Sequence, residues 1–154
     1  MPKRRDLIRL SEAELDAFLA GRRVMNVATY NHDGTIHLVA MWYGFYEGKL
    51  AFETFTKSQK IRNLERDPRI TILVEAGDQY EELQGVEIVG TAMVTDEAAV
   101  VTPVARSVAS RYFPFSNDDE LDVVAATLAN KRSAVVITPE RTVSWDHTKL
   151  GGTY

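Results

Sequence analysis

The run Thr54-Phe55-Thr56-Lys57-Ser58-Gln59-Lys60-Ile61-Arg62-Asn63 places hydroxyl and ammonium groups together where a helix is expected to begin. The positive end of a helix dipole makes a cation there unfavourable by roughly 0.3–1 kcal/mol, so Lys57 and Lys60 call for compensation. A phosphate supplies it. It can accept from the free N–H groups of the first turn, from the Thr56 and Ser58 hydroxyls, and from both lysines. The other reading, a solvated helix whose lysines point into water, stays open on spacing alone. Local charge favours the anion, because Lys57, Lys60, Arg62, Arg66 and Arg69 are opposed only by Glu65 and Asp67 over that stretch. A patch so small suits a phosphate or a short anionic tail, whereas a nucleic-acid duplex needs a broader footprint.

Aromatic and apolar groups stand just before this run, as Met41-Trp42-Tyr43-Gly44-Phe45-Tyr46, Phe52 and Phe55. Most of them suit a β core. A strand leading into a phosphate-binding turn also offers a flat apolar slot, edged by backbone amides, for a planar ring. Trp145 is read equally as packing or as a ring contact. His32, His37 and His147 have no ligand spacing, so no metal site is expected. Ser58 has no readable base, and no catalytic side chain can be named. The acidic Glu75–Glu82 stretch reads as solvated loop. Neither Gly90 nor Gly151-Gly152 makes a dinucleotide-binding glycine turn.

The elements that must position these groups are legible from periodicity and turn residues. Ser11-Glu12-Ala13-Glu14 is a capping box that opens a helix ending at Gly21. Strands are expected at Val24–Tyr30, Thr35–Tyr46 and Lys49–Phe55, joined as a meander by the Asp33-Gly34 and Glu47-Gly48 turns. A helix over Ser58–Arg66 stops at Asp67-Pro68. Strands follow over Arg69–Glu75 and Glu82–Thr95, then a helix over Glu97–Phe113, in which Pro103 must lie in the first turn or kink the helix. Asp118 or Asp119 caps a second helix ending near Asn130. Two last strands, Ala134–Thr138 and Thr142–Trp145, flank a turn at Pro139-Glu140.

The chain has 154 residues, 45% of them hydrophobic, with a net charge of -4 and no cysteine. Those values exclude disulfide stapling, thiolate catalysis and cysteine metal sites, and they argue against a general affinity for nucleic acid or anionic membrane. At this length roughly 70% of the unfolded chain's surface can be buried, enough for one globular unit spanning 1–154. Neither a secretory signal nor an apolar run of roughly 18 residues is present, so a cytoplasmic protein is expected. Six or seven antiparallel strands with short helices exclude a doubly wound parallel fold and point to a small closed or split barrel. Its expected core is Leu38, Ala40, Phe52, Ile70, Ile72, Val74, Val86, Ile88 and Val136.

With these motifs the sequence resembles the pyridoxamine phosphate oxidase-like split β-barrel superfamily, and within it the flavin/deazaflavin oxidoreductases of the B type. The resemblance covers nearly the whole chain and is most specific over Thr54–Pro68. It implies a mainly β fold with short helices, a split antiparallel barrel like that of FMN-binding proteins. It also implies a homodimer with cofactor sites between subunits. Thr56, Lys57, Ser58, Lys60 and Asn63 would hold a cofactor phosphate; Ala40, Met41, Trp42, Glu53 and Thr54 would flank its ring; Trp145 and Lys149 would reach in from the other subunit. The implied cofactor is coenzyme F420, with FMN as the alternative. The anionic tail of coenzyme F420 suits the groove that Lys57, Lys60, Arg62 and Arg66 can form. Leu38-Val39-Ala40-Met41 stands where FMN-dependent pyridoxamine oxidases carry an arginine-rich run, which sets the chain apart from that reaction. The implied activity is hydride transfer from reduced coenzyme F420 to an unsaturated organic acceptor, with a proton from solvent, Tyr80 or His147. The rivals are an FMN-dependent oxidoreductase, and a carrier of flavin, tetrapyrrole or fatty acid.

Overall fold

The computed structural model describes residues 1–152. Its strands are β1 (Met25–Tyr30), β2 (Ile36–Met41), β3 (Gly44–Tyr46), β4 (Lys49–Phe55), β5 (Arg69–Ala76), β6 (Gln84–Thr95) and β7 (Arg132–Asp146). Its helices are α1 (Arg4–Leu7), α2 (Glu12–Ala20), α3 (Gln59–Arg66), α4 (Ala98–Tyr112) and α5 (Asp118–Ala129). No helix among the described residues is long and apolar enough to cross a membrane. The Ser11 capping box forms as expected, with Ser11 Oγ accepting from Glu14 N at 3.2 Å and Ser11 N donating to the Glu14 carboxylate at 2.7 Å.

All seven strands join one antiparallel sheet in the order β2-β1-β5-β6-β7-β4-β3. β2 and β3 are therefore at opposite edges, although only Trp42 and Tyr43 separate them in the chain. Two residues span that gap only if the sheet curls until its edges meet, so the short link itself demands a split barrel. The expected continuous strand Thr35–Tyr46 breaks at this link. Tyr43 is fully buried there and donates its hydroxyl to the Leu19 carbonyl at 2.8 Å. Gly44 follows because α4 presses on it: a Cβ would lie 2.5 Å from Ser107 Oγ.

Inside the curl, Met25, Val27, Phe52, Ile70, Ile72, Val74, Val86 and Ile88 form the main core. Leu38 and Ala40 do not join it. Pairing of Leu38 with Ala28 and of Ala40 with Asn26 puts both on the outer face, and Leu38 is 67% exposed. Side chains alternate along a strand, so a one-residue error of phase moves a residue to the opposite face. Val136 is buried, but in a second cluster with Ala51, Val101, Val104 and Ala134, where α4 covers the outside of β4 and β7.

Two further expectations are corrected. Pro139-Glu140 is no turn; it lies inside β7, where Val89 pairs with Arg141 and Gly90 with Pro139, leaving Glu140 as a bulge. Gly90 is required at this crowded point, since a Cβ would sit 2.1 Å from the Thr138 carbonyl oxygen. The cap of α5 is Asn117 rather than Asp118 or Asp119: its backbone is extended and its Oδ1 accepts from Glu120 N at 2.9 Å.

Candidate functional site

β4 carries two faces of different fate. Leu50 and Phe52 point into the main core, while Ala51 lies against the cluster roofed by α4. Glu53 shares the Ala51 face by the two-residue period, and so a carboxylate becomes 4% exposed. Phe55 pairs across the sheet with Arg132, the first residue of β7. The Arg132 guanidinium lies 4.4 Å from the centre of the Phe55 ring and 3.5 Å from Glu53 Oε1.

A cavity of about 330 Å³ opens beside this pair, walled by Ala40, Met41 and Trp42 on one side and by Glu53 and Arg132 on the other. Val108 of α4, Phe113 just after that helix and Leu128 of α5 complete an apolar roof. Trp42 is braced from behind, its ring parallel to that of Tyr112 with centroids 5.0 Å apart. A second hollow of about 520 Å³ is lined by Phe55, Thr56, Lys57 and Lys131. Arg132 lines the first space and Phe55 the second, so their stacked pair stands between the two.

The strand-to-helix handover lies next to these spaces. Ser58 occupies the N-cap position of α3 with extended backbone, yet makes no capping hydrogen bond, and its Oγ is buried without a partner. A buried hydroxyl at the N-terminus of a helix is an acceptor and donor awaiting a polar group. The Lys60 side chain runs inward instead of into water, leaving the residue 9% exposed. Its ammonium is pulled below the usual lysine range by burial and then by Arg132, with Glu53 opposing both. Burial pushes the Glu53 carboxyl up to about 7, against the lowering effects of Arg132 and Lys60.

The expected site residues separate into groups. Ala40, Met41, Trp42 and Glu53 share the first cavity, and Thr56 and Lys57 share the second. Thr56 also pairs with Ser133, their hydroxyl oxygens 2.9 Å apart. Thr54 is buried and lines neither space. Asn63 is fully engaged: its Nδ2 donates to Thr29 Oγ1 and Asn31 Oδ1 at 3.1 and 3.0 Å, while its Oδ1 accepts from Gln59 and Arg66 at 2.8 and 3.2 Å. It fastens α3 to the end of β1. Arg66 turns to the Tyr30 carbonyl and Arg69 to Asp67, so both have partners away from the lysines.

Trp145 and Lys149 line neither space in this subunit. Trp145 rests on Gly85, where a Cβ would meet its Cζ2 at 2.2 Å. Lys149 bonds the Glu14 carboxylate at 2.6 Å and the Arg9 carbonyl at 2.8 Å. Tyr80 and His147 contact each other, with ring centroids 4.5 Å apart, and line neither space. Sequence reasoning missed Arg132, Lys131 and the roof residues Val108, Phe113 and Leu128. The basic pair Lys131-Arg132 just before a strand was a visible signal; the roof left none, because its residues read as ordinary helix packing.

Comparison with known proteins bears on this geometry. A family model described as pyridoxamine 5'-phosphate oxidase matches residues 11–146. The crystal structure of the conserved hypothetical protein Rv2991 from Mycobacterium tuberculosis is 42% identical, with a TM-score of 0.90 over 99% of this chain and 95% of that one. A structure described as an F420 reductase is 22% identical, with a TM-score of 0.64 over 82% of this chain and 94% of that one. HutZ, the heme storage protein from Vibrio cholerae, is 15% identical, with a TM-score of 0.68 over 86% of this chain and 94% of that one. The last two share the fold.

Proposed function

This chain belongs to the pyridoxamine 5'-phosphate oxidase family and has its split-barrel fold, and from that membership, with an F420 reductase among the structures that share the fold, we propose that it is a homodimeric oxidoreductase using coenzyme F420. The observation that carries the reading is the β4-to-α3 handover: Glu53 lines an apolar cavity with Trp42, Thr56 and Lys57 line the second hollow across the Phe55–Arg132 stack, and the next residue, Ser58, has a buried hydroxyl without a partner. These residues fit a phosphate joined to a planar ring: helix N–H groups, Ser58 and the lysines would hold the phosphate, and the cavity would take the ring. The structure described as an F420 reductase lends support by its shared fold, and the deazaflavin would supply hydride to an unsaturated organic acceptor.

This chain's own residues would bind, orient and dry the site. Trp42, held rigid by Tyr112, would form one wall of the ring slot. Val108, Phe113 and Leu128 would exclude water and strengthen each electrostatic contact beneath them. Lys57 and Lys60 would neutralise phosphate. Trp145 of the partner subunit would close the slot, since the exposed apolar residues Ile36 and Leu38 on the outer sheet face favour pairing of two copies.

Titration of the protein with coenzyme F420 and FMN side by side, followed by fluorescence quenching, tests the reading. Tighter binding of coenzyme F420, with oxidation of its reduced form by quinone or enone acceptors, is expected. Preference for FMN would move the enzyme to its flavin alternative. A carrier is the competing reading, since the fold is shared with a heme storage protein. Cofactor binding without turnover of any acceptor would favour the carrier.

A further inference from the structure

Glu53 is an acidic group placed where burial alone disfavours its charge, and the surrounding elements define its options. From β7 it faces Arg132, at 3.5 Å, and from α3 it faces Lys60. From β2 and the link beyond it come Ala40, Met41 and Trp42, and from the α4–α5 roof Val108, Phe113 and Leu128, none of them titratable. Two cations thus share one carboxylate at the edge of an apolar cavity. With Glu53 ionised the cluster has one positive charge in excess, and with Glu53 neutral it has two. A ligand presenting an electron-rich acceptor edge supplies the missing negative potential, and the same potential favours the neutral form of the carboxyl beside it.

We propose that Glu53 is a specificity-determining residue of this cavity: it meets the ligand as a neutral carboxylic acid, its hydroxyl donating to an acceptor edge of the ring, so that ligand and one proton bind together. The proton comes from solution onto the Glu53 carboxylate, and no bond in the ligand breaks. A ring without an acceptor at that edge would leave the acid unpaired beneath the roof and bind poorly. Arg132, stacked on Phe55, would act as the positioning residue, holding Glu53 in place until the ligand arrives. The inference rests on the ring-binding reading above, and a carboxyl poised near neutrality by burial is consistent with it.

Calorimetric titration of the full-length protein with coenzyme F420 and with FMN, from pH 6 to 9 in buffers of different ionisation enthalpy, counts the protons taken up. Uptake should rise toward one proton per ligand by about pH 8, and affinity should fall roughly tenfold per pH unit above pH 7. The second ionisation of a phosphate, near pH 6, lies below that window. Glu53→Gln keeps the size of the neutral acid; it should retain affinity at pH 6 and lose both the uptake and the slope. Arg132→Gln, which removes the cation favouring the charged form, should move the onset of the slope to higher pH. Affinity independent of pH between 7 and 9, or an unchanged slope in Glu53→Gln, would overturn the inference while leaving the cofactor reading intact. Binding of neither ligand at any pH would overturn both.

Discussion

Glu53 and Arg132 enter the same buried corner from two adjacent strands, with the carboxylate and guanidinium 3.5 Å apart and the guanidinium also stacked on Phe55. The pair exists because β4 and β7 are neighbours, and it is buried because α4 and α5 roof their outer face. A largely buried ion pair of this kind stabilises less than its geometry suggests, since desolvation of the carboxylate opposes the attraction.

That opposition has a sign in the pH dependence of stability. The Glu53 carboxyl is raised in the folded state to about 7 from an ordinary value of 4.5, so folding retains a proton that the unfolded chain releases. The associated stability is complete below about pH 4.5 and is lost as pH rises through about 7. At about 1.4 kcal/mol per unit, the loss has an upper bound of about 3 kcal/mol. Urea unfolding of Glu53→Gln should lack this decline and exceed wild type above pH 7. Parallel curves for the two proteins would contradict the assignment.

Lys60→Ala should weaken cofactor binding by about 1.5–3 kcal/mol, the range for a charge-assisted bond to phosphate. Its thermal midpoint should not fall, because burial already disfavours the ammonium. Equal affinity in the variant and wild type would remove Lys60 from the site.

Asn63 should behave in the opposite way. Replacement by Leu leaves Thr29, Asn31 and Gln59 without their shared partner, and a loss of about 2–4 kcal/mol in chemical denaturation is expected. A stable Asn63→Leu protein with impaired cofactor binding would mean that the amide serves the ligand instead.

Leu38→Glu puts a charge on the outer sheet face, where Leu38 is 67% exposed and Ile36 54% exposed in the single chain. If two copies pair through that face, sedimentation should report half the wild-type mass, with the circular dichroism of the fold retained. A dimer surviving this substitution would place the interface elsewhere.

Trp145→Ala should loosen cofactor binding and leave the barrel folded. Gly85→Ala should displace the same indole from beneath, since the new Cβ would fall 2.2 Å from it, at a cost of about 1–3 kcal/mol in stability. Global unfolding of Trp145→Ala would return this residue to a packing role.

Local features of the chain were read from local residues: the Ser11 capping box, the turn at Gly48, the stop at Asp67-Pro68 and the lysines at the start of α3 each depend on neighbours within a few positions. Alternating apolar residues likewise set most of the core and the antiparallel class. What the chain alone left undecided depended on partners far away in sequence. Only the strand order showed that Trp42-Tyr43 bridges the two sheet edges, and only register turned Leu38 and Ala40 outward. The roof from α4 and α5 then converted Glu53 from an ordinary strand acid into a buried one, and brought Arg132 to it across 79 positions of chain between residues 53 and 132. Periodicity reports which way a side chain points, whereas burial and charge depend on what the rest of the chain places against it.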